Sequence, residues 1–391
     1  MTLREAERTQ TAGERLAKIA SSYLYVERGT PVYDLLAELK EPYRRPIAVV
    51  DGDRRPVGII VPRDLVDILG KPFGRDLLKR QRVEDIMREA TSRRHDEHVQ
   101  ELLARVDADP DAPPDENFVL VDGDGRFCGH VTSHDLVVHA TVEHRRELET
   151  ATRIQRRLVS PSFSVLGKRV SITCASVMAQ GVGGDYYYAR EYQDGRWFFC
   201  LCDISGKGIS AAIVTAVLAS FLRDANLERP LEDTVAFLND IILGTFKLEK
   251  YLTGFFARFS EETGELEYCD MGHSYFYAIE GTDVHPVTEG ADNPPIGLAE
   301  RLVTTTRTLR VAPGSSFLIV SDGIVEQTDR SGRTFPLARA GECLGAAAAS
   351  ADGAVRAQIR FLESFFAFKG DVPQHDDVSM LIFRYGPKIA R

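Results

Sequence analysis

The residues of this sequence whose types and placement could do chemistry are aspartates in four short motifs. They stand in Gly183-Gly184-Asp185-Tyr186, in Asp203-Ile204-Ser205-Gly206-Lys207-Gly208, in Ser321-Asp322-Gly323 and in Asp376-Asp377-Val378-Ser379. Trp197 to Cys202 precede Asp203, Ser316 to Val320 precede Asp322, and Ser379 to Phe383 follow the Asp376-Asp377 pair, so strands would hold these carboxylates rigidly. A single Asp-Gly step is ordinarily only a turn. Four acidic motifs converging on one place would instead make an oxygen-only ligand set. Hard divalent cations such as Mg2+ and Mn2+ take oxygen ligands, and two of them about 4 Å apart can share a carboxylate and a hydroxide. The six cysteines are scattered without paired metal-ligand spacing, so no thiolate or imidazole site competes with this chemistry. A Cys-x5-Arg nucleophile loop is absent, and Gly206-Lys207-Gly208 lacks the earlier glycine of a Walker phosphate loop.

In this order the motifs resemble the metal-dependent protein phosphatases of the PPM family, in particular their bacterial sporulation-phosphatase (SpoIIE-like) branch. The resemblance covers about residues 150–386. It includes Ala151-x-x-Ile154-Gln155-x-x-Leu158-x-x-Pro161, Val182 to Tyr187, Asp203 to Gly208 with Ser210-Ala211-Ala212, and Gly272-His273. Pro295 to Leu298, Ser321 to Glu326 and Asp376 to Ser379 complete it. It implies an α-β-β-α sandwich of two antiparallel sheets and a centre for two Mn2+ or Mg2+ ions. Asp203 would bridge both ions, with the Ile204 carbonyl on one of them. Asp322 and Asp376 would complete the second site, Asp377 being the alternative to Asp376, and Asp185 would bind directly or through water. The implied reaction is attack of the metal-bridging hydroxide on a phosphoserine or phosphothreonine, with Asp203 and Asp185 as the catalytic carboxylates. By analogy the partner is an anti-sigma-factor antagonist of the STAS type. Where some family members carry a histidine two residues after the bridging aspartate, this chain has Ser205, which leaves protonation of the leaving group to water on the metals. Tyr188 replaces an aspartate of the branch without touching an expected ligand, His273 reads as a structural residue, and Lys207 as a solvated loop lysine.

Upstream lies an internal repeat. Pro46 to Asp53 leads into Val57 to Val66, and Phe118 to Gly125 into Cys128 to Val137, placing Asp64 and Asp135 at matching positions 71 residues apart. A β-branched run, an Asp-Gly turn, a second strand and an Asp-started helix follow in order, with helix-like stretches Val32 to Leu39 and Val99 to Val106 before them. This β-α-β-β-α unit, occurring twice, looks like a tandem cystathionine-β-synthase (CBS) pair over about residues 15–140. The resemblance implies an adenine nucleotide in the cleft between the repeats, with the aspartate on the ribose and a hydroxyl three residues earlier near the phosphate. The second copy has both, as Thr132 and Asp135, whereas the first has Asp64 but Val61. The plainer reading is that Asp64 and Asp135 cap helices. Residues 141–161 read as a helical linker with a polar-diluted coiled-coil seam, Val137, Thr141, His144, Leu148, Ala151, Gln155 and Leu158, which suits a homodimer; residues 162–387 form the catalytic domain.

At 391 residues the chain suits two or three domains, and its 43% hydrophobic and 27% charged residues are those of a globular protein. The overall class is thus α+β. The polar start has no apolar signal core, and no stretch approaches the ~18 apolar residues of a membrane span, so a cytoplasmic location without a membrane partner is expected. A net charge of −10 speaks against a general nucleic-acid surface. Two functions compete: a sensor-regulated phosphatase, and an adenine-nucleotide-sensing scaffold with a non-catalytic phosphatase fold. Retention of every expected aspartate favours the enzyme.

Overall fold

The computed structural model describes residues 2–8, 11–39, 45–108, 116–159, 161–179, 181–287, 293–344 and 351–386. The expected last residue of the catalytic domain, 387, lies outside them. The chain divides into two compact units, Met1–Arg146 and Glu147–Arg391.

In the first unit the repeat is visible strand by strand. Leu24–Glu27 pairs parallel with Ile47–Val50, which pairs antiparallel with Pro56–Ile60. Thr91–Arg94, Asn117–Val121 and Phe127–Thr132 repeat this arrangement. The helices Val32–Glu38 and Val99–Ala108 make the crossovers that parallel pairing requires. Both hairpins turn the same way. Asp51 Oδ1 accepts the N–H of Asp53 (3.0 Å) and Arg55 (2.8 Å), and Asp122 Oδ1 those of Asp124 and Arg126 (both 2.9 Å). The aspartate therefore closes the turn with its side chain. The helices after the hairpins, Pro62–Leu69 and Ser133–Leu158, start before the expected aspartates, which fall in their first turns. Ser133–Leu158 is 26 residues long and runs past residue 146. Val137, Val138 and Val142 on it are exposed.

The second unit is built on two antiparallel sheets. One has the order Tyr186–Gln193, Arg196–Ile204, Leu252–Ser260, Glu265–Met271, Arg307–Arg310. The other runs Asp283–Pro286, Phe276–Glu280, Ser316–Val320, Val378–Tyr385, Val170–Val177, Ser162–Leu166. Their inner faces meet in aromatic rings: Phe199 stacks on Phe383 at 5.0 Å, Phe259 meets Phe383 edge-on at 4.9 Å, and Phe255 lies 4.4 Å from Phe276. Burial of each ring contributes roughly 1.5–3 kcal/mol. The helices Ile209–Asp224 and Leu231–Phe246 cover the five-stranded sheet, and Ala338–Leu344 and Ala351–Lys369 the six-stranded one. The layering is α-β-β-α, as expected. All six cysteines are free, and Cys200 and Cys202 are fully buried in the interior strand Arg196–Ile204. Among the described residues no helix is long and apolar enough to cross a membrane.

Candidate metal centre

Antiparallel pairing collects the acidic motifs at one edge of the sandwich. In the five-stranded sheet Tyr186 pairs with Cys202, so the residue before one strand, Asp185, comes opposite Asp203 near the end of its neighbour. In the six-stranded sheet Val320 pairs with Met380, so the end of Ser316–Val320, followed by Asp322, meets the start of Val378–Tyr385, preceded by Asp376 and Asp377. Ser321 ties these ends together: its hydroxyl donates to the Asp377 carbonyl at 3.0 Å and accepts the Ser379 N–H at 2.9 Å. The approach leaves no space for a side chain at Gly323, whose Cβ would stand 2.0 Å from the Asp377 carbonyl oxygen. The Ile204 carbonyl oxygen lies against the Asp185 loop, 2.6 Å from where a Cβ would stand on Gly184.

The two adjacent aspartates do different things. Asp377 is buried, and its carboxylate accepts the N–H of Ala179 at 2.8 Å and of Gly184 at 2.7 Å. It braces the loop carrying Asp185. Asp376 is half-exposed and pairs with the Lys207 ammonium at 2.9 Å. Lys207 also donates to the His375 carbonyl at 2.5 Å, so the exposed loop lysine expected from the sequence is also tied to the acidic edge.

Crowded, dry carboxylates resist ionisation. Burial, then the charges of Asp203 and Asp377, pushes Asp185 far up, although the Ser321 and Ser379 hydroxyls oppose the shift. Burial, then Asp322, Asp376 and Asp377, lifts Asp203 to about 7 despite Lys207. Asp322 rises through burial and the Asp376 charge, and Asp377 through burial opposed by its backbone donors. Asp185 is 1% exposed, and its Oδ2 has no hydrogen-bond partner. Such an orphaned oxygen beside other carboxylates calls for a cation. The donor set, carboxylate and carbonyl oxygens only, fits Mg2+ or Mn2+. Among the described residues no group of three or more acidic, histidine or cysteine side chains is arranged to hold a metal ion.

His273 is buried and its pKa falls to about 4 through burial; its backbone N–H donates to Asp270 at 2.8 Å, a structural role. In the N-terminal unit Thr132 and Asp135 satisfy one another. The Asp135 carboxylate accepts the Thr132 N–H and hydroxyl (both 2.8 Å) and the Ser21 hydroxyl (2.6 Å), while the Asp135 N–H donates to the Thr132 hydroxyl at 3.1 Å. This is a capping box that starts the long helix. Asp64 pairs instead with Arg88. Two polar residues escaped the sequence reading: Lys207 as an ion-pair partner, and Gln155, whose buried amide bonds Gly183. In the sequence Gln155 stood only as one of three polar residues of the coiled-coil seam, with Thr141 and His144, and carried no distinct signal.

Two helix-covered antiparallel sheets with an acidic cluster at one edge define a PP2C-type phosphatase domain. Residues 193–386 match the stage II sporulation protein E (SpoIIE) family and residues 17–71 the CBS domain. The C-terminal part of the chain is thus a SpoIIE-type PP2C domain, and a CBS domain precedes it. The chain is similar to the phosphoserine phosphatase RsbP of Bacillus subtilis, 21% identical over 189 residues covering 47% of this chain and 46% of that protein. It is also similar to Protein IcfG of Synechocystis sp., 23% identical over 211 residues covering 47% and 33%. The chain therefore spans half or less of the length of these relatives. The solved SiaA-PP2C domain of Pseudomonas aeruginosa shares the fold, with a TM-score of 0.52 and 20% identity, over 63% of this chain and 98% of that one. The SpoIIE match begins after the Asp185 loop, and the CBS match covers the first repeat.

Proposed function

We propose that this protein hydrolyses phosphoserine or phosphothreonine on a partner protein at a centre for two divalent cations. The observation that carries the reading is the partly buried, partly unpartnered cluster of Asp185, Asp203, Asp322, Asp376 and Asp377, with Lys207 as the one cation paired to it among the described residues. Asp203, the Ile204 carbonyl, Asp322 and Asp376 would hold the ions, with Asp185 beside them and Asp377 bracing the loop. Bound cations supply Lewis acidity, lowering the pKa of a water nucleophile and offsetting charge on the phosphoryl oxygens. The chain's own residues do the rest. Strands fix the carboxylates before the ions arrive, burial strengthens their fields, and Lys207, held at the Asp376 end, presents positive charge where a phosphate dianion would approach.

The name of the Bacillus relative supports phosphoserine as the substrate, and we assign the partner to the anti-sigma-factor antagonists of the STAS type. The N-terminal unit would bind a regulatory adenine nucleotide, which must displace part of the Thr132–Asp135 capping box. The exposed valines of Ser133–Leu158 would pair two copies into a homodimer, and the protein would work in the cytoplasm. The test is Mn2+-dependent hydrolysis of p-nitrophenyl phosphate and of a phosphorylated STAS protein. Asp203→Asn is expected to lose activity about 100-fold or more. A wild type without metal-dependent turnover, or a fully active Asp203→Asn, overturns the enzymatic reading in favour of the nucleotide-sensing scaffold. Calorimetry with ATP and AMP, and light scattering, test the ligand and the dimer.

A further inference from the structure

The loop that presents Asp185 is held by its backbone, and one of its holders comes from the helix Ser133–Leu158. Gln155, 4% exposed, donates from Nε2 to the Gly183 carbonyl at 2.6 Å and accepts the Gly183 N–H on Oε1 at 3.0 Å. Both main-chain groups of one residue are thereby matched by one amide. Only one orientation of that amide satisfies them, so the pairing also fixes the side chain. The next residue is gripped from another side, by Asp377 on the Gly184 N–H. The Thr215 hydroxyl of Ile209–Asp224 reaches the same Gly183 carbonyl at 3.5 Å. Asp185, which follows, has a buried Oδ2 without a hydrogen bond of its own. The aim of that oxygen is therefore set by the backbone of residues 183 and 184 together with the Ser321 and Ser379 hydroxyls on the same carboxylate.

We infer that Gln155 is a positioning residue of the metal centre: its amide holds Gly183 so that Asp185 faces the cations. The inference rests on the cation-binding reading of the aspartate cluster. Gln155 touches neither ion nor substrate and acts through Gly183. Removing its amide leaves the Gly183 N–H and carbonyl buried and unmatched by it, and the loop must turn them elsewhere. A glutamate has the same shape. When protonated it keeps one donor and one acceptor; when ionised it sets an anionic oxygen against the Gly183 carbonyl.

The experiment is Mn2+ titration of the whole chain by calorimetry, for wild type, Gln155→Leu and Gln155→Glu, with melting temperatures in chelator and p-nitrophenyl phosphate kinetics beside it. Gln155→Leu is expected to weaken Mn2+ binding by about tenfold, the lower end for partners that orient a ligand. For Gln155→Glu the affinity ratio to wild type should be largest at pH 8 and narrow toward unity by pH 5.5 as the new carboxyl takes up its proton. A lower melting temperature with Mn2+ affinity within twofold of wild type in both variants overturns the inference, since it leaves Gln155 a packing residue only. If Gln155→Leu does not fold, the pH dependence of the Gln155→Glu ratio decides: a flat ratio overturns it. A wild type that binds no Mn2+ overturns this inference and the proposed function together. A wild type that binds Mn2+ without hydrolysing the ester removes the phosphatase reading alone, and the affinity ratios still judge Gln155.

Discussion

Asp203 sits among other carboxylates at a cost to the fold. Folded, it keeps its proton up to about 7, whereas in the unfolded chain an aspartate ionises near its ordinary value of 3.8. Between those values the folded chain holds the extra proton, so this residue's contribution to stability falls as pH rises through the interval. Asp203→Asn should therefore abolish turnover yet raise the melting temperature of the chelated protein at pH 8, which differential scanning calorimetry reads directly. His130 shows the opposite slope. It is fully buried with neither ring nitrogen bonded, and burial lowers its pKa to about 4, below the unfolded value. As pH falls from about 6.5 to 4 the unfolded chain takes up the proton first, and stability drops by about 3 kcal/mol. Urea midpoints at pH 5 and pH 7 should converge in His130→Leu relative to wild type. The aspartates were legible because their motifs sit at strand ends. The division of labour between Asp376 and Asp377 was not, since it depends on whether a side chain meets the Lys207 ammonium or the Ala179 and Gly184 amides from distant parts of the chain.

The elements explain why the motifs contain glycine. Gly323 lets the turn after Ser316–Val320 lie against the Asp377 carbonyl, and a methyl group there has nowhere to go. Gly323→Ala should cost roughly 1–3 kcal/mol in folding by overpacking and weaken Mn2+ binding, because the strain falls on the turn carrying Asp376. Urea unfolding and calorimetric titration measure the two effects, and an unchanged affinity would mean the turn yields elsewhere. Alternation and turn residues made the strands readable, and the hairpin turns of the repeat were visible as Asp-Gly steps. The sequence left the role of the aspartate at the helix starts open between a cap and a nucleotide contact. The aspartate falls within the first turn and, at Asp135, closes a capping box with Thr132 that a ligand-oriented reading takes for a phosphate and ribose site.

For the whole molecule, the proposed cation binding and folding would be one equilibrium, because the acidic cluster exists only when both sheets are built. Mn2+ at a hundredfold excess over its dissociation constant should stabilise the unit Glu147–Arg391 by about 2.7 kcal/mol. Scanning calorimetry with Mn2+ and with chelator should show that transition move while that of Met1–Arg146 stays. The order of strands in the six-stranded sheet was the least legible feature, since Val170–Val177 pairs with Val378–Tyr385, from the far end of the chain. Asp377 receives the Ala179 N–H across 198 positions of sequence. Closing so long a loop delays folding, and it also sets a schedule for synthesis. A ribosome must release the last strand before the Asp185 loop gains its brace. Every shorter nascent chain carries the first half of the centre without the second, with Val170–Val177 presenting one unpaired edge. The newly made domain therefore acquires its sheet and its acidic cluster in the same moment, once Val378–Tyr385 has left the ribosome.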